Sequence, residues 1–310
     1  MTSEQKQPFV SVIIPNYNHA QYLEQRLDSV FGQTYPNFEV IILDDCSTDN
    51  SLEVINRYKN NPHLSQIVVN ETNYGNTFKQ WDKGINLAKG EIIWIAESDD
   101  YCELTMLEEL VKAYTIKPNI VLAYAPVVYV NEIGNITGYY SKEWKTQYVR
   151  GKRFIKNYLA LHNTIMNASC AIFSREKAML INNIYKSYIG LGDWWFWVLL
   201  VEQGDVTIVN KHLSYFRRHE GVVTSKQSIN GSNSQGFYEL LQYIEKHYFI
   251  SKFREDYIVY SNPWIITDIN DEKIKQQIRN LWKYNRTYSR LELLYFRVLN
   301  HMKRRYLLYL

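Results

Sequence analysis

Residues 90–100 read G-E-I-I-W-I-A-E-S-D-D, and no other stretch limits the fold as tightly. Ile92, Ile93, Trp94 and Ile95 form a short apolar run without polar alternation, the pattern of a strand covered on both faces. The run passes straight into Glu97, Ser98, Asp99 and Asp100. A strand covered on both faces belongs in an α/β sheet, and open α/β sheets take their ligands at the carboxyl ends of the strands. Carboxylates clustered there suit a divalent cation such as Mg²⁺ or Mn²⁺, which neutralises phosphates. The same acids would also serve as a solvated turn ahead of the helix that begins near Leu104.

The chain before this stretch repeats its logic. Apolar runs at 10–14, 38–43 and 67–69 alternate with helical spacing at 21–31, 51–58 and 77–88. The runs lead into P-N-Y-N-H, D-D-C-S-T-D and N-E-T-N-Y-G-N, so the polar residues fall after strands. Alternation of this kind predicts right-handed βαβ units and an α/β fold with a mostly parallel sheet. A dinucleotide-binding Rossmann turn needs glycines where the backbone meets a pyrophosphate, and P-N-Y-N-H-A has none. Phosphates must therefore be held some other way, and the acids after Ile95 point to a metal.

Further on, residues 120–130 read as a strand or strand pair followed by a hairpin turn, N-E-I-G-N. Residues 154–161 have helical spacing, and 170–173 and 206–209 read as strands. Between them G-L-G-D-W-W-F-W-V-L-L places a lone acid, Asp193, at the head of a bulky apolar helix. From about residue 228 strand alternation ceases. The expected organisation is an α/β domain over 1–227, in two parts, 9–115 and 116–227, and a helical region over 228–310.

Lys and Arg number 35 against 32 acids, a net charge of +3 that argues against nucleic acid as a partner. Cys46, Cys102 and Cys170 have no metal-type spacing and predict reduced thiols in a cytosolic compartment. The polar N-terminus and the absence of an apolar run of spanning length predict a soluble or surface-bound protein.

Taken in order, V-S-V-I-I-P-N-Y-N, V-I-I-L-D-D-C-S-T-D, A-K-G-E-I-I-W-I-A-E-S-D-D, G-D-W-W-F-W and R-R-H resemble glycosyltransferase family 2 over roughly residues 9–225. Its members are inverting nucleotide-sugar transferases with the GT-A fold. The resemblance implies a Rossmann-like, mostly parallel sheet with flanking helices, here with a helical C-terminal extension; it makes 1–227 the catalytic domain, with 9–115 its nucleotide-binding half and 116–227 its acceptor half. It also implies sugar transfer from a nucleoside-diphosphate sugar, with a UDP-sugar as expected donor, to a glycan or lipid-linked glycan in cell-surface polysaccharide synthesis. A divalent metal, Mn²⁺ or Mg²⁺, is the implied cofactor.

The resemblance assigns Pro15 and Tyr17 to the nucleotide pocket and makes Asp45 the acceptor for a base N–H. It puts Asp99 near the ribose and metal, Asp100 as a direct metal ligand, and His219 at the metal or diphosphate with Arg217, Arg218 and Ser225 nearby. Arg218 is read as a donor-binding residue. Glu97 stands where the family commonly has Asp. Where many relatives carry an Arg-Asn pair, Lys79 or Lys83 would have to serve. Asp193 matches the second of the family's acidic pair, with Gly192 in place of the first, and is the expected base. The segment 163–169 corresponds to the donor-sugar and acceptor side.

Two alternatives stay open. One is a nucleotidyl- or phosphoryl-transfer enzyme using the same acids, although it lacks the glycine-rich basic loop usual for that chemistry. The other is an inactive nucleotide-sugar-binding protein. The tail 288–310 carries Leu291, Leu294, Tyr295, Val298 and Met302 at helical spacing, with Arg290, Arg297, Lys303, Arg304 and Arg305. Such a helix either lies in an anionic membrane surface, at the cytoplasmic face of the inner membrane, or packs on the catalytic domain.

Overall fold

The computed structural model describes residues 7–140, 145–219, 230–250, 252–282 and 289–306. The chain divides into two compact units. The first comprises 1–150, 165–182 and 199–219, and the second 151–164, 183–198 and 220–310.

The first unit is built as the alternation predicts. Strand β1 (Val10–Asn16) is followed by α1 (Ala20–Phe31), β2 (Phe38–Asp44), α2 (Ser51–Arg57), β3 (Leu64–Val69), α3 (Thr77–Leu87) and β4 (Ile92–Ile95). β1 pairs in parallel with both β2 and β4, and β2 with β3. All residues of β1, β2 and β4 are buried, which accounts for their largely apolar composition. Helix α3 lies hard on β1 because residue 84 is glycine, where a Cβ would come within 2.4 Å of the Ile13 side chain.

The sequence marks the later strands less clearly. β5 (Tyr101–Cys102) follows the acids directly, ahead of α4 (Met106–Tyr114). The 120–130 run splits into β6 (Ile120–Tyr124) and β7 (Val127–Val130), and β7 makes a hairpin with β8 (Ile136–Tyr139). β9 (Gln147–Val149), β10 (Ala171–Ser174), β11 (Asp205–Ile208) and β12 (Ser214–Arg217) complete the strands. The main sheet has eight strands in the order β3-β2-β1-β4-β10-β6-β11-β9. β10 runs antiparallel to β4 and β6, and β9 to β11. A second sheet has the order β5-β12-β7-β8. In it β12 pairs antiparallel with β5, Ser214 opposite Cys102 and Tyr215 opposite Tyr101. Continuing that register brings Arg217 abreast of Asp99.

The second unit is helical in its C-terminal part, with helices Ser232–His247, Lys252–Ser261, Trp264–Thr267, Glu272–Leu281 and Arg290–Tyr306. Phe237 is fully buried and organises an aromatic cluster, with ring centroids 4.6 Å from Trp194, 5.6 Å from Trp264 and 5.4 Å from Trp282. The helix Gly192–Val201 is apolar all round, as a helix buried on every side must be. Residues 154–161 are helical in a wider form, with Gly151–Phe154 running into a π-helix over Ile155–Leu159. Among the described residues no helix is long and apolar enough to cross a membrane. Ser225 and residue 228, where the helical region was expected to begin, lie outside the described residues.

Candidate active site

The first three strands deliver polar residues to one sheet edge. Asn16 ends β1 in register with Asp44 at the end of β2, and its side-chain amide donates to Asp44 Oδ2 at 2.8 Å. Pro15 is buried in the same strand, whereas Tyr17 just beyond it is exposed. Asp45 is buried and heavily engaged. Its Oδ1 accepts from the amides of Asn70 and Gln80, both at 2.6 Å, and from the Tyr74 N–H at 3.0 Å. Its Oδ2 accepts the Tyr74 N–H at 3.1 Å, within the two-lone-pair capacity of a carboxylate oxygen. Lys79 and Lys83 both hold their ammonium groups 5.9 Å from the Tyr74 ring, and Lys83 also donates to Asn70.

After β4 the neighbouring acids part company. Asp100 is almost wholly buried, and both its oxygens are taken by protein donors. Oδ1 accepts the Arg217 N–H at 2.9 Å, while Oδ2 accepts from the Ser169 hydroxyl at 2.7 Å and the Asn167 amide. Arg26, fully buried, stands 3.8 Å away. Burial first, then the charge of Asp99, pushes Asp100 up to about 7 against the pull of Arg26. Glu97 accepts the Trp81 indole N–H at 2.8 Å, and burial with Asp99 raises it to about 8.

Asp99 instead meets imidazoles. His219 follows β12, so the register of the second sheet carries its Nε2 to 3.1 Å from Asp99 Oδ2. His19, between β1 and α1, completes a group in which one ligand atom from each of His19, Asp99 and His219 lies within 4.8 Å of the others. Burial acts to raise Asp99, but the His219 hydrogen bond and the two imidazoles outweigh it and hold the carboxyl low. The Asp99 hydrogen bond raises His219, whereas burial lowers His19. One carboxylate and two imidazoles are a ligand set for a divalent transition ion, so the residues present fit the expected metal.

Arg217 fixes this corner. Its side chain donates to the carbonyls of Asp99 at 2.8 Å and Glu132 at 2.6 Å and to Gln25 Oε1 at 2.6 Å. Arg218, exposed, lies over the Phe216 ring at 4.5 Å and Tyr129 at 5.4 Å.

In the second unit, Asp193 begins the helix Gly192–Val201. Its Oδ1 accepts its neighbour's N–H, from Trp194, at 2.8 Å, and its Oδ2 accepts the Asn163 amide at 2.8 Å. The Trp194 indole donates to Leu159 O at 2.8 Å, which pins the helix start. Burial pushes Asp193 up to about 6 against those two hydrogen bonds.

The structure thus gathers Asp99 and His219 as expected partners and adds His19, which sequence reading left without a role. Asp100 does not join that group. Arg26, Asn167 and Ser169, the donors behind Asp100, went unassigned; the last two fall in the 163–169 segment read only as part of a cleft.

The family described as Glycosyl transferase family 2 matches residues 11–180. Over 178 residues the chain is 35% identical to glycosyltransferase GlyG of Streptococcus pneumoniae serotype 4, covering 57% of this chain and 55% of GlyG. Over 103 residues it is 38% identical to the Staphylococcus aureus poly(ribitol-phosphate) beta-N-acetylglucosaminyltransferase TarS, 32% of this chain and 18% of TarS. The chain therefore spans about half of the first relative and under a fifth of the second. Among solved structures, S. aureus TarS 1–349 with UDP-GlcNAc superposes with a TM-score of 0.62 at 20% identity, covering 81% of this chain and 70% of that one. The Pyrobaculum calidifontis mannosyltransferase PcManGT, with GDP-Man and Mn²⁺, gives 0.57 at 17% identity, covering 96% and 81%. At such identities the likeness carries the GT-A fold, and the family match carries the rest: the chain belongs to glycosyl transferase family 2.

Proposed function

We propose that this protein moves a sugar, with inversion, from a nucleoside-diphosphate sugar to a glycan or lipid-linked glycan acceptor in cell-surface polysaccharide synthesis. The observation that carries this reading is the Asp99–His219–His19 group at the carboxyl end of β4, in a family 2 chain. In it Asp99 and His219 hold Mn²⁺ or Mg²⁺, and Asp100 stands behind them as the carboxylate that ties β4 to β12. The cation supplies Lewis-acid neutralisation of the charge on a diphosphate leaving group.

The other roles belong to the chain itself. The Tyr17 ring lies against the base, Pro15 shapes that pocket, and Asp45 Oδ2 accepts a base N–H. Lys79 and Arg218 offer positive charge to the donor. Asp193 takes the proton of the acceptor hydroxyl as it attacks, and its raised pKa suits a base near neutral pH. The fold neighbours bind UDP-GlcNAc in one case and GDP-Man in another, which supports a nucleotide-sugar donor, and we take a UDP-sugar as the first candidate. The test is a panel of UDP- and GDP-sugars scored for Mn²⁺-dependent hydrolysis and for thermal stabilisation. At least one donor should register in both, and a panel silent in both would overturn the reading.

The proposed location is the cytoplasm, against the inner face of the membrane. In the helix Arg290–Tyr306, Phe296 and Leu299 are buried with Tyr257, while Leu291, Leu294, Tyr295 and Val298 are exposed beside exposed Arg290 and Arg297. The expected apolar stripe thus faces outward over its described length; the side chains of Met302, Lys303, Arg304 and Arg305 lie outside the described residues. An outward apolar stripe with arginines suits an anionic lipid surface. Salt-sensitive co-sedimentation with phosphatidylglycerol vesicles should disappear when Leu294 and Val298 become Glu. Failure of the unaltered protein to bind at low salt would remove the membrane contact.

A further inference from the structure

We infer that His19 is a third protein ligand of the cation, so that the site favours first-row transition ions over Mg²⁺ and Ca²⁺ and fills before any nucleotide arrives. The inference rests on the reading of Asp99 and His219 as metal ligands and adds to it a residue, a selectivity and an order of binding.

The sequence places His19 where a helix N-cap normally stands, immediately before α1 (Ala20–Phe31), yet its side chain makes no capping hydrogen bond. Its Nδ1 lies 2.8 Å from the Ser98 hydroxyl instead. In the tautomer with the proton on Nδ1, that nitrogen donates to the Ser98 oxygen and the lone pair stays on Nε2. Metal-bound histidines are oriented in just this way, the second nitrogen donating to a neighbouring oxygen. Ser98 is buried and precedes Asp99, so one turn of chain fixes both the carboxylate and the imidazole that faces it.

Distances agree. Asp99 Oδ2 and His219 Nε2 are 3.1 Å apart, close to the separation of about 3 Å between adjacent ligands on an octahedral ion with bonds of about 2.1 Å. The His19 ligand atom lies within 4.8 Å of both, close enough for one ion to reach all three. The two imidazoles meet edge to face, centroids 5.8 Å apart and planes 87° to each other, which keeps the rings from colliding as their nitrogens converge.

The donor set decides the ion. Mg²⁺ and Ca²⁺ take oxygen ligands and part reluctantly with water, whereas imidazole nitrogen suits transition ions. Two imidazoles and one carboxylate leave about three octahedral positions open for phosphate oxygens or water, while three protein ligands suffice to hold an ion alone.

The test uses the full chain stripped of metal, with Mn²⁺ as probe and no nucleotide present. The EPR signal of free Mn²⁺ reports binding, and Mg²⁺ is titrated as competitor. The unaltered protein should bind one Mn²⁺ and release it only to Mg²⁺ in large excess. His19→Gln and His19→Ala should each weaken Mn²⁺ binding by roughly 10- to 100-fold, the range that loss of metal-site support produces. Both should also let Mg²⁺ compete at a smaller excess, a change in selectivity that loss of packing alone would not give. Circular dichroism checks that each variant is folded, and the glutamine variant keeps a polar side chain at the site. Unchanged Mn²⁺ affinity and unchanged competition in folded His19 variants, with binding lost in Asp99→Ala, overturns the role of His19 and leaves the wider reading intact. No Mn²⁺ binding by the unaltered protein without nucleotide also overturns the inference. Full Mn²⁺ binding by Asp99→Ala sinks the metal reading itself.

Discussion

Asp99 and Asp193 are both acids set beside apolar runs, yet their surroundings drive them apart. Asp99 lies in the turn after β4 in the first unit and faces two imidazoles, which hold its carboxyl low despite burial. Asp193 starts a helix in the second unit, and burial lifts it to about 6 against hydrogen bonds from the Trp194 N–H, the Asn163 amide and its own backbone. A carboxylate that stays charged under burial suits a cation. One whose proton is balanced near neutrality suits proton transfer. The lesson is that type and sequence context single out an acid, whereas the groups brought to it across the fold give it its task.

The largest effect should come from breaking the Asp193 side of this contrast. Asp193→Asn removes a base while keeping shape, so turnover should fall by roughly 10²- to 10⁴-fold. Mn²⁺ binding and donor binding should survive, since both belong to the first unit in our reading. Progress curves with the donor found by the panel, alongside Mn²⁺ EPR, check this; near-normal turnover removes Asp193 from the mechanism.

Asp100→Ala sharpens the other side. Removing this carboxylate leaves the Arg217 N–H, the Ser169 hydroxyl and the Asn167 amide without their acceptor, and Arg26 without its nearest counter-charge. Breaking a buried charged pair from one side costs about 3–5 kcal/mol. Chemical denaturation should therefore show a large loss of stability in Asp100→Ala and a much smaller one in Asp99→Ala. Equal losses would mean that the two neighbours do not divide ligand and scaffold between them.

Much of this was legible in the chain. The largely apolar runs of β1, β2 and β4 announce burial on both faces, and the polar residues that follow them announce the sheet edge. Asp99 stood out because it follows such a run and Asp193 because it opens an apolar helix, whereas His219 was found through the R-R-H part of the family resemblance. What stayed hidden depends on pairing over long sequence separations. β5 is two residues long and pairs with β12 more than a hundred residues later, and no local pattern marks that partnership. The same pairing puts Arg217 onto Asp100 and His219 onto Asp99, so the difference between the adjacent acids had no local signal. His19 was concealed for another reason: nothing in P-N-Y-N-H gives it metal-type spacing to Asp99 or His219, and the fold alone brings it to them.

The smallest effect tests whether the neighbours of Asp193 set its pKa. A carboxyl raised to about 6 keeps its proton between pH 4 and 6, where the unfolded chain, with an ordinary value near 4, has lost it. The folded state binds more protons in that window, so this group's stabilising contribution falls as pH rises through it. Activity runs the opposite way, because the base works only when deprotonated; the rate should climb through an acid limb near pH 6. Asn163 donates to the charged form and so holds the pKa down. Asn163→Ala should raise it further, by up to about one unit for a hydrogen bond of ordinary net strength. The acid limb of kcat should then move to higher pH, while the rate on the plateau above it changes little. A limb that stays in place would mean that burial alone fixes the proton affinity of Asp193, and the contrast with Asp99 would rest on solvent exclusion rather than on hydrogen-bond partners.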